Sequence, residues 1–142
     1  MKIVFVDTEK AFVKEFEESF KLTNRVSIFN DMLDAYKWIK IDENIPEVIV
    51  TELDINESTG LQSLKFLLTK SKLKNTAIVG FTNHEMDENE KNLILNEGAS
   101  EVFEKKNLIS GLSTYLKYLS DPSFTGRRRP AGEKTPHKGE TT

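Results

Sequence analysis

The sequence predicts a three-layer α/β domain in which a doubly wound, five-stranded parallel sheet of order 2-1-3-4-5 carries helices on both faces. Two observations predict this fold. Short apolar runs alternate along the chain with longer segments that have apolar residues at helical spacing. The central runs are almost continuously aliphatic, as expected for strands buried on both faces. Parallel strands need crossover connections, and right-handed crossovers place helices on both sides of the sheet.

The five predicted strands are short apolar runs, of which the second is the weakest because its alternation is only partial. They are Lys2 to Val6, Arg25 to Phe29, Val48 to Leu53, Ala77 to Phe81 and Glu101 to Phe103. Pro46 interrupts the chain before the third strand, and Asn75 marks a turn before the fourth.

Each strand is followed by a segment with the apolar spacing of a helix. The predicted helices are Glu9 to Leu22, a segment from Asp31 that carries Met32 to Ile39, Leu61 to Leu68, Asp87 to Glu97, and Asn107 to Leu119. Thr8 and Asp31 are predicted N-caps of the first two helices. Gly98 is the expected stop residue of the fourth.

Length and composition limit the classes of protein to which the chain can belong. The 142 residues fit one domain, and 37% hydrophobic with 30% charged residues is ordinary for a globular protein. The net charge of -3 is too mild to predict binding to nucleic acid or membrane. Absence of cysteine excludes disulfides and thiol chemistry, and two distant histidines do not favour a metal site. No run resembles a signal peptide or approaches the roughly 20 apolar residues of a membrane span, so a cytoplasmic location is expected.

The composition changes at Asp121. Residues 121–142 contain three of the four prolines, three of the seven glycines and few apolar side chains. Five Lys or Arg against three Asp or Glu give this segment a net charge of +2. Such a segment buries too little apolar surface to offset its ordering entropy. We therefore predict a folded domain over 1–120 and a disordered tail or linker over 121–142, with Arg127 to Arg129 as a solvated charge run.

Four polar residues follow predicted strands at the same edge of the sheet. Asp7 follows the first strand, Glu52 stands at the end of the third, Thr82 follows the fourth, and Lys105 follows the fifth. In a sheet of order 2-1-3-4-5 the carboxyl ends of these strands surround the switch point, where ligands bind. The sequence therefore predicts one cleft that contains two acids, a hydroxyl and an ammonium group.

These segments resemble the receiver domain of bacterial response regulators, over residues 2 to about 119. The segments are Val6-Asp7-Thr8, Val50-Thr51-Glu52 with Gly60 beyond it, Phe81-Thr82, and Gly98-Ala99 before Lys105. The resemblance implies a flavodoxin-like or CheY-like fold and a role in two-component signalling. In that family an acidic pair after strand one and a phospho-accepting aspartate after strand three hold Mg²⁺. A Thr or Ser and a Lys contact the phosphoryl group. The corresponding pocket here would comprise Asp7, Thr8, Glu52, Thr82 and Lys105.

The chain departs from the family pattern at positions that matter for the chemistry. Thr8 replaces one carboxylate of the acidic pair, and Glu52 stands at the acceptor position. Further departures are Ile55-Asn56 in place of Met-Pro, Val102 in place of an aromatic residue, Lys106 in place of Pro, and one extra residue between Thr82 and Gly98. Mg²⁺ requires several oxygen ligands in near-octahedral geometry, so its binding is expected to be lost or weak. We expect no catalytic residue, no metal site, no cofactor and no enzymatic activity.

The sequence is best interpreted as a degenerate receiver, or pseudo-receiver, that signals by phosphorylation-independent contacts between proteins. The resemblance implies that partners, or a second copy in a homodimer, use the face of helix four, strand five and helix five. We favour a direct salt bridge between Glu52 and Lys105 over Glu52 as a mimic of the phosphorylated state. One alternative is a working receiver in which Asp54 or another acid accepts the phosphoryl group. A nucleotide- or flavin-binding domain is disfavoured, since no glycine-rich loop follows the first strand.

Overall fold

The computed structural model describes residues 1–42, 44–53 and 61–121. The predictions that concern Asp54, Ile55-Asn56, Gly60 and the segment beyond Asp121 lie outside these residues. Among the described residues, no helix combines the length and the apolar character needed to cross a membrane.

The five strands form one parallel sheet in the order β2-β1-β3-β4-β5, which confirms the predicted fold class and strand order. The strands are β1 Lys2–Val6, β2 Arg25–Phe29, β3 Val48–Glu52, β4 Ala77–Thr82 and β5 Glu101–Glu104. The first two have the predicted bounds, and the other three differ from the prediction by one residue at their carboxyl ends.

Within the described ranges, five α-helices follow the strands as predicted. They are α1 Lys10–Phe20, α2 Met32–Asp42, α3 Gln62–Leu68, α4 Glu88–Glu97 and α5 Lys105–Ser120, with a 3-10 turn at Ser71–Leu73. The prediction that Thr8 caps α1 is wrong, because Glu9 is the N-cap residue and makes no side-chain capping bond. Helix α5 begins two residues earlier than predicted, so Lys105 is its first residue.

The other helix-end signals act as the sequence indicated. Asp31 accepts the backbone N–H of Asp34 at 2.8 Å at the start of α2. Asp87 and Glu90 form a reciprocal capping box at the start of α4. Gly98 ends that helix with a φ angle of 125°, a backbone conformation that residues with a Cβ atom rarely adopt.

Alternate strand residues pack into two separate cores, one on each face of the sheet. Val4, Ile49 and Ile78 contribute to the core shared with α2, α3 and α4. Phe5 and Phe81 contribute to the core shared with α1 and α5, where the rings of Phe5 and Phe16 stack at 3.9 Å. Burial of each large apolar side chain stabilises the folded domain by roughly 1.5–3 kcal/mol relative to leaving that side chain in water. Both faces are therefore covered, as the nearly continuous apolar strands predicted.

Close packing between Leu53 and Gly80 joins the carboxyl ends of β3 and β4. A Cβ atom at position 80 would lie 2.9 Å from Leu53 Cγ and closer still to its Cδ1 atom. The backbone N–H of Leu53, one residue beyond β3, donates to the carbonyl of Phe81 at 2.8 Å. This packing fixes the two strand ends that carry Glu52 and Thr82.

Candidate functional site

The sheet brings the ends of β1, β3, β4 and β5 to one edge, as the sequence predicted. Val6 is in register with Thr51, Glu52 with Phe81, and Thr82 with Glu104. Asp7 therefore follows β1 beside the end of β3, and Lys105 begins α5 directly after β5.

Lys105 forms the centre of the site through two ion pairs. Its Nζ atom lies 3.0 Å from Asp7 Oδ2 and 2.5 Å from Glu9 Oε1. The side chain of Asp7 is only 1% exposed, whereas that of Glu9 is 61% exposed. Asp7 Oδ1 accepts the backbone N–H of Thr8 at 2.8 Å, while Oδ2 makes no hydrogen bond of normal geometry with any described residue. The ammonium of Lys105 is therefore what compensates the buried charge of Asp7.

Two aromatic rings complete the surroundings of this ammonium. Lys105 Nζ lies 4.7 Å from the ring centroid of Phe12 and 5.6 Å from that of Phe81. Both distances are in the range of cation–π attraction. Burial alone would lower the pKa of Lys105, but hydrogen bonds and charge interactions with Glu9 and Asp7 raise it above its usual value of 10.5. The lysine is therefore charged at neutral pH and held by groups of the chain itself.

Glu52 is half-buried and is bound by a different partner from the one expected. The side-chain amide of Asn83 donates a hydrogen bond to Glu52 Oε2. The expected Glu52–Lys105 salt bridge is wrong, since within the part of the chain that the structure describes Lys105 forms its ion pairs with Asp7 and Glu9. The physical reason is burial. The carboxylate of Asp7 is almost fully shielded from water and needs a nearby positive charge, whereas water can solvate the partly exposed carboxylate of Glu52. Sequence reasoning missed Glu9, although its position two residues after Asp7 at the same strand end was a usable signal.

Thr82 and Thr8 are placed very differently. Thr82 is fully buried, and its hydroxyl donates to the carbonyl of His84 at 2.9 Å. The His84 ring in turn lies 3.3 Å from a carboxylate oxygen of Glu90 at the start of α4. Thr82 thus holds the β4–α4 loop against the strand end. Thr8 is exposed at the position that follows Asp7.

Comparison with solved structures identifies the fold. A receiver domain from Bermanella marisrubri matches with a TM-score of 0.66 and 22% identity, covering 84% of this chain and 98% of that one. The BeF3-activated N-terminal receiver domain of Klebsiella pneumoniae RstA matches with a TM-score of 0.66 and 21% identity, covering 82% and 96%. The Mn²⁺-bound response regulator Rcp1 matches with a TM-score of 0.66 and 17% identity, covering 85% and 95%. The chain has the receiver-domain fold. No protein-family model and no curated protein matches it.

Among the described residues, the carboxylates at this edge of the sheet do not form a set of ligands suited to Mg²⁺. Asp7 is engaged by Lys105, Glu52 is engaged by Asn83, and position 8 supplies a threonine. In the described part of the chain, no three His, Cys, Asp or Glu side chains cluster as metal ligands would. A hard divalent cation needs several oxygen ligands and would have to compete with the Lys105 ammonium for Asp7.

The surface formed by α4, β5 and α5 has an open groove of about 250 Å³. Its lining includes Met86, Lys91, Val102 and Asn107. Beside it, Glu104 accepts the backbone N–H of Met86 at 2.7 Å. This hydrogen bond is the main cause that lowers the pKa of Glu104; burial opposes the shift, and the charge of Lys106 and its hydrogen bond to Glu104 assist it. The loop before α4 is therefore anchored to the end of β5.

Proposed function

We propose that this chain is a degenerate receiver, a signalling module that acts by protein contact and does not accept a phosphoryl group. The observation that carries the proposal is the state of Lys105. In a working receiver this lysine contacts the phosphoryl group. Here its ammonium is paired with Asp7 and Glu9, at 3.0 and 2.5 Å.

The acceptor position supports the same conclusion. Glu52 is one methylene longer than aspartate, and its carboxylate accepts the Asn83 amide. A phosphoryl group brings a charge of roughly −1.5 to −2 and would need cations around it. The two carboxylates that hold Lys105 would oppose such a group, and Thr8 supplies no carboxylate with which to recruit a metal ion.

Partner binding is proposed on the α4–β5–α5 face. The groove of about 250 Å³ and the anchored loop at Met86 support this choice, because they offer a preformed surface. Mixed charges line it, with Glu88 and Glu104 near Lys91. A protein partner with polar and apolar contacts suits this surface better than a small apolar ligand.

Intact-mass spectrometry after incubation with acetyl phosphate or phosphoramidate and Mg²⁺ tests the proposal. The expected result is an unchanged mass, while a working receiver in a parallel reaction gains one phosphoryl group. A stable gain of one phosphoryl group would contradict the proposal. Peptide mapping would then show whether Asp54 or another acid is the acceptor of a functional receiver.

A further inference from the structure

Strand β2 is the end of the sheet, and the hydrogen bonds at its two ends show which backbone groups point outward. The N–H of Arg25 donates to the carbonyl of Met1 at 2.8 Å, and the carbonyl of Phe29 accepts the N–H of Asp7 at 3.2 Å. Arg25, Ser27 and Phe29 therefore direct their backbone groups toward β1. Neighbouring residues of a strand direct these groups to opposite sides. Val26 and Ile28 consequently present their N–H and C=O groups to the open edge.

Apart from the charged Arg25 at its start, β2 has few of the features that usually protect an end strand from pairing, and no other strand of the described residues covers its outer side. The register of β2 with β1 is continuous over all five residues, from Arg25 to Phe29. Residues 26–29 carry no charge and no proline, and they are only partly buried. Natural edge strands are usually blocked by charged residues, proline or bulges. The open edge of β2 is therefore suited to receive another strand.

The segments that flank β2 are complementary to each other. Lys21 and Leu22 precede the strand, and Leu33 and Asp34 follow it within the first turn of α2. Leu22 is 89% exposed and Leu33 is 62% exposed. Neither Lys21 nor Asp34 has an ion-pair partner within the described residues. An antiparallel second copy would bring the basic and apolar start of one strand beside the acidic and apolar end of the other.

We propose that this chain forms a homodimer by antiparallel pairing of β2 with the β2 strand of a second copy. A two-fold axis at Ser27 sets the register. Val26 then exchanges two N–H···O=C bonds with the partner's Ile28, and Ile28 does so with the partner's Val26. The N–H and C=O groups of Val26 and Ile28 point outward, as this pattern requires. Ser27, whose backbone groups point toward β1, faces the Ser27 of the second copy in a non-hydrogen-bonded pair.

The same register gives each exposed arginine an aromatic neighbour. Arg25 comes opposite the partner's Phe29. Within one chain the ring of Phe29 lies 5.4 Å from that of Trp38. A guanidinium group over such a ring pair gains cation–π attraction, and the two arginines do not face each other. An unrelated extended peptide would only form hydrogen bonds with the outward backbone groups of β2. A second copy would also cover the exposed leucines that flank β2 and pair the flanking charges of opposite sign.

Sedimentation analysis of the full chain between about 1 and 500 μM tests this interface. A monomer–dimer equilibrium is expected, and exchange of the Val26 and Ile28 amides should slow as concentration rises. Leu22→Glu, at an exposed position, should weaken the dimer by about tenfold or more. Leu93→Glu, at a residue of α4 that is 52% exposed, is the matched control and should leave the dimer intact.

Charge exchange gives a second, independent readout. Lys21→Glu and Asp34→Lys should each weaken self-association. A mixture of the two variants should form heterodimers, because each interface then pairs opposite charges. A chain that stays monomeric throughout this range, a dimer lost in Leu93→Glu but kept in Leu22→Glu, or unchanged exchange at Val26 and Ile28 would overturn the proposal.

Discussion

Replacement of Lys105 by methionine is expected to destabilise the domain by about 2–3 kcal/mol. Breaking a buried ion pair costs about 3–5 kcal/mol, because the remaining charge is left without compensation. The side chain of Asp7 is 1% exposed, but that of Lys105 is 15% exposed, so some water reaches the site and reduces the cost. Methionine keeps a long apolar stem near Phe12 and Phe81, so the loss reports mainly on the charge.

Urea unfolding followed by circular dichroism measures this change, and the melting temperature should fall by roughly 6–12 °C. Glu9→Gln is the matched control and should cost less than about 1 kcal/mol, since Glu9 is 61% exposed. The double variant Asp7→Asn/Lys105→Met removes the orphaned charge and should recover at least about 1 kcal/mol relative to additivity. Additive losses, or a cost of Lys105→Met below about 0.5 kcal/mol, would refute the compensating role of Lys105.

Four further outcomes are expected. Glu52→Asp alone should not restore Mg²⁺-dependent labelling by acetyl phosphate, because position 8 still lacks a carboxylate; strong labelling in intact-mass spectra would contradict this. Gly80→Ala should cost about 1–3 kcal/mol in urea unfolding, because the new Cβ displaces Leu53; an unchanged midpoint would show that the strands yield easily. The folded-state pKa of Glu104 is lowered, so its stabilisation is complete above pH 4.5 and is lost as the pH falls through the folded value. Glu104→Gln should therefore reduce the loss of unfolding free energy as the pH falls below 4.5. The same loss in the variant and the parent chain would contradict this role of Glu104. Removal of residues 122–142 should change the melting temperature by less than about 2 °C, and a larger drop would indicate that the tail packs on the domain.

The fold was predictable because its determinants are local or topological. Aliphatic runs such as Val48–Val50 define buried strands without reference to any partner. Once the strands are parallel, crossover rules leave few arrangements, and the order 2-1-3-4-5 is one of the common doubly wound orders among them. Helix ends with their own signals, Asp31 and Gly98, were also located correctly.

The site was predictable in its position but not in its bonding. The carboxyl edge of the sheet collects Asp7, Glu52, Thr82 and Lys105 because of topology alone. Which carboxylate binds Lys105 depends on burial and on side-chain reach between residues 96 positions apart in the chain, as for Glu9 and Lys105. Spacing along the sequence shows that Glu9 lies near Asp7 at the same strand end, but it gives neither the burial of Asp7 nor the reach of Lys105.

The most direct test of the central claim is a titration of the labelled chain with Mg²⁺ and beryllofluoride, followed by NMR at Lys105 and Glu52. The receiver domain of Klebsiella pneumoniae RstA, whose structure is BeF3-activated, is the positive control. We predict no saturable change at either residue, because Asp7 and Glu9 already neutralise the lysine. Saturable shifts at both residues that depend on Mg²⁺ and beryllofluoride together would contradict the account.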